Sequence, residues 1–375
     1  MKNFISKKKT PVPVALALVS AALLSFQACD ETDPLMVSPE TPSEELSVTP
    51  ASVARMLSGL PLTIDQVREV WDGAKASSAN GYDEEYTFKD MFALPGRGVG
   101  DDLIGTRSAA TYPSPLSSMV SDRLASSGLQ IYWPYSESWD GKSLPVITFS
   151  PEIVLESNVG YLREELPDGS WIVKEMVVDE DYARSHPVWV IGWNEDAGAV
   201  TPQVAEALRP ESATRAASDF KTLRLKEFKA HVQYDSWLAG GSEFYIKCGS
   251  LKAFTADIVA DLTKYNPEIT DLMIKVKRAQ TGRALRYNSV IVSEWSSQLT
   301  ECAFLMIEDD GGKVTSWKSS GKVTIKSKSY GFDVEIPYHR NDDIVWRGKL
   351  SYNYLEKNNG VANRFGDVSV TFIFN

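Results

Sequence analysis

Acidic loops are the first features of this 375-residue chain whose residue types suggest chemistry. Glu308-Asp309-Asp310 runs into a Gly-Gly pair, Asn341-Asp342-Asp343 forms a second acidic stretch, and Asp235 lies in a third candidate loop. Hard carboxylate oxygens converging from loops at one end of a β-sandwich would suit calcium. Asp309, Asp310, Asp342 and Asp343 are therefore the metal candidates, with solvated turns as the alternative reading. Paired acids could also cleave glycosides. Glu84/Glu85, Asp179/Glu180/Asp181 and Glu308/Asp309/Asp310 are the available sets, although adjacent acids usually mark solvated turns or helix starts.

Aromatic side chains offer a second kind of site. Trp133, Tyr135, Trp139, Trp189 and Trp193 crowd the middle of the chain, and Tyr234, Trp237 and Tyr245 flank Gly240-Gly241. Exposed rings stack on the C–H faces of sugars, which makes Trp133, Tyr135, Trp139 and Trp237 candidate ligand contacts. Tryptophans at β spacing are otherwise core residues.

Other chemistries are poorly supplied. His186, His231 and His339 are scattered without the paired spacing of a zinc site, no serine or cysteine sits in a recognisable nucleophile setting, and no H-E-x-x-H run occurs. Gly96-Arg97-Gly98-Val99-Gly100-Asp101-Asp102 is glycine-rich, but no strand is read before it and its aspartates would repel an anion. No catalytic residue is assigned.

The elements that must position these groups begin with a signal. Lys2, Lys7, Lys8 and Lys9 precede an apolar run over residues 14–24, and Ser25-Phe26-Gln27-Ala28-Cys29 follows. This is the order of an export signal whose apolar run is short for a spanning helix. A thiol at the cleavage point can be alkylated by diacylglycerol, so Cys29 is read as a lipidation site, with palmitate among the acyl chains that would hold the protein at a membrane. The segment resembles a lipobox, with Phe26 and Gln27 at positions where Leu and a small residue are usual. An ordinary secretory signal is the competing reading. Asp30, Glu31 and Asp33, followed by Pro34, Pro39, Pro42 and Pro50, read as an acidic extended tether.

The net charge is −11, and residues 1–28, with four lysines and no acid, leave the remainder four charges more negative when removed. So acidic a chain lacks the electrostatic footprint of a nucleic-acid binder and would be repelled by anionic headgroups; the lipid would have to supply attachment. Beyond Cys29 only Cys248 and Cys302 remain, each in an apolar strand-like run. A disulfide and two packed free thiols are both open.

Five segments are read: 1–28 a signal peptide, 29–50 the tether, 51–195 a mixed α+β domain, 196–222 a linker, and 223–375 an all-β domain. Helices are expected over 52–60 and after Thr63, where Ile64, Val67, Trp71 and Ala74 share a face and Asn80-Gly81 ends the run. A third is expected over 83–92. Short strands follow at 129–133, 146–149, 171–173 and 187–193, forming a small antiparallel unit. From residue 223 onward, Leu223/Leu225, Leu272/Ile274/Val276, Val323/Ile325 and Val368/Val370/Phe372/Phe374 alternate, and Asp309-Asp310-Gly311-Gly312 and Asn358-Asn359-Gly360 mark turns. About eight such strands fit a two-sheet sandwich. The fold class is therefore α+β, mainly β: N-terminal helices on a small β unit, then a β-sandwich.

Gly81-Tyr82-Asp83-Glu84-Glu85-Tyr86, the 131–139 segment with Pro134-Tyr135-Ser136, Pro187-Val188-Trp189-Val190-Ile191, Ser329-Tyr330-Gly331-Phe332-Asp333 and Phe365-Gly366-Asp367-Val368 together resemble uncharacterised Bacteroidetes surface lipoproteins. The resemblance implies an outer-membrane, lipid-anchored protein facing the cell exterior, with the periplasmic face as the alternative, and it implies no catalytic residue. The resulting expectation is a non-catalytic binding or structural module whose partner is a glycan or a protein. A carboxylate-based glycan or peptide hydrolase and a surface-assembly subunit are the alternatives.

Overall fold

The computed structural model describes residues 48–60, 62–93, 114–208 and 220–375. Cys29, the tether and the 96–102 glycine-rich loop lie outside these residues. Residues 47–375 form one compact unit, and among the described residues no helix is long and apolar enough to cross a membrane.

Helix α1 (Pro50–Ser58) starts on Thr49, and α2 (Ile64–Ala79) starts on Thr63. Thr63 and Gln66 cap each other: the Gln66 N–H donates to Thr63 Oγ1 (3.3 Å), and the Thr63 N–H donates to Gln66 Oε1 (2.7 Å). This reciprocal pairing satisfies two donors that a helix start otherwise leaves open. The expected helix over 83–92 is instead strand β1 (Glu85–Thr87) followed by the short α3 (Phe88–Ala93). Helix α4 (Ser114–Ala125) leads into β2 (Leu129–Tyr132).

Six strands make the first sheet, in the order β1-β2-β6-β3-β4-β5, with β3 Val146–Phe149, β4 Ser157–Glu165, β5 Trp171–Asp179 and β6 Val188–Trp193. The sheet is mixed rather than purely antiparallel, because β3 and β6 run parallel. Strand alternation divides its two faces. Leu129, Ile131, Trp133, Trp189 and Ile191 pack under Val53, Leu57, Val67 and Val70 of the helices. Tyr132, Val146, Val188 and Val190 face the other way, onto Trp237 and Leu238 of the C-terminal half.

Of the stretch read as a linker, residues 196–208 are described and pack into the body. Asp196 and Thr201 are buried, α5 (Pro202–Ala207) is capped by Thr201, and the Thr201 hydroxyl donates to the Asn80 carbonyl (2.5 Å).

The remaining strands form a two-sheet sandwich. One sheet runs β10-β7-β16-β15, with β7 Lys221–Ala230, β10 Leu285–Trp295, β15 Ala362–Phe365 and β16 Val368–Phe374. The other runs β13-β12-β11-β8-β9, with β14 paired on β11; its ranges are β8 Ser242–Ser250, β9 Glu268–Val276, β11 Leu299–Glu308, β12 Val314–Ile325, β13 Lys328–His339 and β14 Asp343–Ser351. A single apolar core lies between the sheets, where Phe228 meets Phe244 (5.4 Å between ring centroids) and Phe304 meets Phe372 (6.0 Å). The alternating residues of β9 and β16 are buried there, as their pattern predicts. Cys248 and Cys302 are free, fully buried thiols.

Candidate functional site

Among the described residues, charged or aromatic side chains gather in several places. The first is an ionic seam where the C-terminal half meets the first sheet. Lys275, near the end of β9, is buried and pairs with Glu243 of β8, Asp196 (3.4 Å) and Asp83 (3.8 Å). Asp83 also accepts the Gly241 N–H (2.7 Å), and a Cβ at the preceding Gly240 would meet the Asp83 carboxylate at 2.7 Å. Lys277 donates to Glu84 (2.7 Å) and to Ser78 (2.5 Å). Arg278 clamps Glu180 through Nε (2.9 Å) and Nη2 (3.2 Å) while Tyr135 donates to the same carboxylate (2.6 Å).

Two acid sets read as solvated turns are therefore structural partners. Burial works against the charged form of Glu180, but the Arg278 and Tyr135 hydrogen bonds outweigh it and hold the carboxyl down at about 2. Glu84 and Glu85 are pushed up to about 8, first by burial and then by neighbouring acids, Asp83 for Glu84 and Asp196 for Glu85.

The second place is the acidic end of the sandwich. Of the four metal candidates, Asp309 and Asp342 face inward onto their own turn. Asp309 Oδ1 sits 3.0 Å from His339 Nδ1 and accepts the Gly311 N–H (2.8 Å); Asp342 Oδ2 accepts the His339 N–H (2.7 Å). Asp310 and Asp343 are exposed. Asp309, His339 and Asp342 offer ligand atoms within 4.8 Å of one another, and so does a second set, Asp235, Glu243 and Glu308. Glu308 is fully buried, and neither of its carboxylate oxygens has a hydrogen-bond partner. Burial, then Asp235 and Asp310, drive its carboxyl up to about 10.

The third is aromatic. Trp133 and Trp237 are core residues, 1% and 0% exposed, and offer no free ring face to a sugar. Trp133 packs edge-on against Trp189 (5.9 Å) and Trp139 (5.4 Å), and Trp237 Nε1 donates to the Glu156 carbonyl (2.9 Å). Tyr135 and Trp139 are half-buried and line a pocket of about 250 Å³ with Tyr182 and His186, whose rings stack at 4.2 Å.

A larger groove of about 640 Å³ opens beside the carboxyl ends of the parallel strands β3 and β6, and its lining includes Gln130, Phe149, Ile153, Trp193, Glu195 and Leu238. Of these two volumes, the larger lies within the usual range of about 300–1,000 Å³ for ligand sites and the smaller falls below it. Trp193 is 50% exposed, while Gln130, in the floor, is buried with an unpartnered Oε1. Trp193 belongs to the aromatic run visible in the sequence; its exposure comes from sitting at the last residue of β6, past the covered part of the strand.

Strand β5 closes one edge of the first sheet, with Val177 71% exposed. Compared with known protein families, curated proteins and solved structures, the chain matches none.

Proposed function

We propose that this protein is a non-catalytic binding module, lipid-anchored through Cys29 on the outer face of the outer membrane, which takes a glycan segment in the groove beside Trp193. The observation that carries this reading is the pairing, in one groove, of a half-exposed indole with a buried, unpartnered amide oxygen on Gln130. An indole face supplies apolar stacking to the C–H side of a sugar. A buried acceptor without a donor discriminates strongly for a ligand bearing a hydroxyl, since leaving it unmet carries the full desolvation penalty. Gln130 hydrogen-bonds Glu85 as well, which fixes its side chain. Glu195 on the rim adds an acceptor.

A glycan array probed with the purified full chain tests the binding reading. Saturable binding to a polysaccharide or host glycan is expected, weakened about tenfold in Trp193→Ala, a loss on the order of 1.4 kcal/mol. No bound glycan, or binding indifferent to Trp193, would refute it. Palmitate labelling in cells tests the anchor: Cys29→Ser should abolish both label and membrane fractionation.

One observation favours a second reading, a carboxylate-based hydrolase. A pocket of about 430 Å³ is lined by Glu85, Asp90 and Asp196, and the raised Glu85 carboxyl would hold a proton at neutral pH as a general acid must. Turnover of a polysaccharide or peptide panel that disappears in Glu85→Gln would support it and displace the binding reading.

A further inference from the structure

We propose that Asp235, Glu243 and Glu308 form a binding site for a calcium-class divalent cation beneath the acidic end of the sandwich, independent of the groove. The three residues reach one point from different elements: Asp235 from the connection after β7, Glu243 from the start of β8, and Glu308 from the end of β11. The pairings of Glu308 with Phe244 and of Glu243 with Lys275 fix two of them on adjacent strands. Their oxygens lie within 4.8 Å of one another. Oxygens on opposite sides of a calcium ion are about 4.6–5.2 Å apart, twice the usual calcium–oxygen distance, so one ion spans the set.

An acidic cluster alone would say little, because exposed acids commonly gather in turns. Glu308 makes the difference. It is fully buried, both of its oxygens lack a hydrogen-bond partner, and Asp235 Oδ2 is buried and unpartnered beside it. A buried carboxylate needs either a donor or a counter-charge. The nearest ammonium cannot supply it: Lys275 is already shared among Glu243, Asp83 and Asp196. That leaves one ammonium among five carboxylates.

The donor set is oxygen only, with no imidazole or thiolate, which selects a hard cation. One Glu243 oxygen is committed to Lys275, so the protein supplies fewer than the six to eight oxygens calcium prefers, and water would complete the shell. Asp310 and Asp343 lie exposed above the set and provide an acidic approach from solvent. The neighbouring Asp309–His339–Asp342 cluster differs, because its carboxylates already accept backbone and histidine donors.

Titrating calcium chloride into the chelator-treated full chain, by calorimetry and by thermal unfolding, tests the proposal. One saturable equivalent and a rise of several degrees in the unfolding midpoint are expected, with magnesium weaker. Glu308→Gln should lose both effects; where it fails to fold, Asp235→Asn takes its place with the same expectation. No saturable heat and no midpoint shift up to millimolar calcium would overturn the site. So would a calcium response that survives undiminished in these variants. A Glu308→Gln protein that is simply more stable and equally so with or without calcium would show that a shared proton holds the carboxylates together, and would also overturn it.

Discussion

Replacing Lys275 by Met should be among the most destabilising single changes in the chain, and its effect should depend on pH. The ammonium lies 3.4 Å from Asp196 and 3.8 Å from Asp83, and it contacts Glu243 directly. At an effective dielectric near 20, unit charges so placed attract by about 4–5 kcal/mol per pair. Burying the ammonium itself offsets several kcal/mol of that sum. Removing one partner of a buried ionic group typically destabilises by about 3–5 kcal/mol, because the opposite charges remain buried without compensation.

The structure also sets a ceiling. The orphaned carboxylates can escape by taking up a proton. At pH 7 that step costs about 4 kcal/mol for a group whose ordinary pKa is near 4, and at pH 5 only about 1.4 kcal/mol. The Lys275→Met penalty should therefore be about 3–4 kcal/mol at pH 7 and shrink to about 1–2 kcal/mol at pH 5. Urea unfolding of both proteins at the two pH values, with chelator present so that no cation replaces the ammonium, measures it. Lys264→Met is the control, since Lys264 is exposed and its pair with Asp261 is screened by solvent, so the change should leave stability nearly unaltered. A Lys275→Met penalty below about 1 kcal/mol, or one unchanged between pH 7 and pH 5, would refute the electrostatic account of the seam.

Raised carboxyl values carry their own pH signature. The stability that Glu84 and Glu85 contribute as neutral acids is fully present below their ordinary 4.5 and is lost as pH climbs to about 8. Stability should therefore decline over that window by about 1.4 kcal/mol per pH unit for each group; a Glu85→Gln denaturation series that is no flatter than the parent would contradict this. Gly241→Ala should destabilise by about 1–3 kcal/mol by overpacking, because its Cβ would meet the Val276 carbonyl oxygen at 2.6 Å while its N–H must still reach Asp83; a melt within a degree of the parent would show that the seam can shift to make room. Cys248 and Cys302 should resist alkylation in the native protein and react only as it unfolds, since both are fully buried; rapid labelling in buffer would reveal local opening between β8 and β11.

What could be read from the sequence depended on where each element buries its surface. Strand β16 keeps Val368, Val370, Phe372 and Phe374 inside and polar residues between most of them, so a period of two is visible. Helix α2 displays its capping residues and its apolar face together. By contrast, β4 buries only the adjacent Gly160 and Tyr161 and most of β5 is exposed, so this hairpin near the sheet edge shows no alternation to read. Strand β1 spans three residues, too few for any period, and Asp83 before it looked like a helix cap. Its carboxylate instead accepts from Glu84 and, across the body, from Gly241. The acidic end was found in part: Asp309, Asp310, Asp342 and Asp343 mark the turns, whereas the unpartnered Glu308 sits one residue inside the strand. Adjacent acids look alike in a sequence whether they are solvated or buried, because their burial is decided by residues far along the chain.

Lys275 shows why that distance matters. Strand β9 ends with Lys275 and Val276, and Lys277 and Arg278 follow at once. Within these four positions the chain delivers its cations to Asp83 and Asp196, to Glu84 and to Glu180, all belonging to the half that precedes residue 223. The pairing of Lys275 with Glu243 on β8 sets that delivery. A slip of one residue between β8 and β9 would turn every side chain of β9 to the opposite face, taking Leu272, Ile274 and Val276 out of the core between the sheets and turning Asp271 and Lys275 into it. It would also leave the seam's acids without cations. An apolar junction of similar area would tolerate small sliding, because dispersion is non-directional; a junction of paired charges does not. The β8–β9 register thus sets Lys275 against Glu243, while the separate β8–β11 register brings Glu308 beside the start of β8.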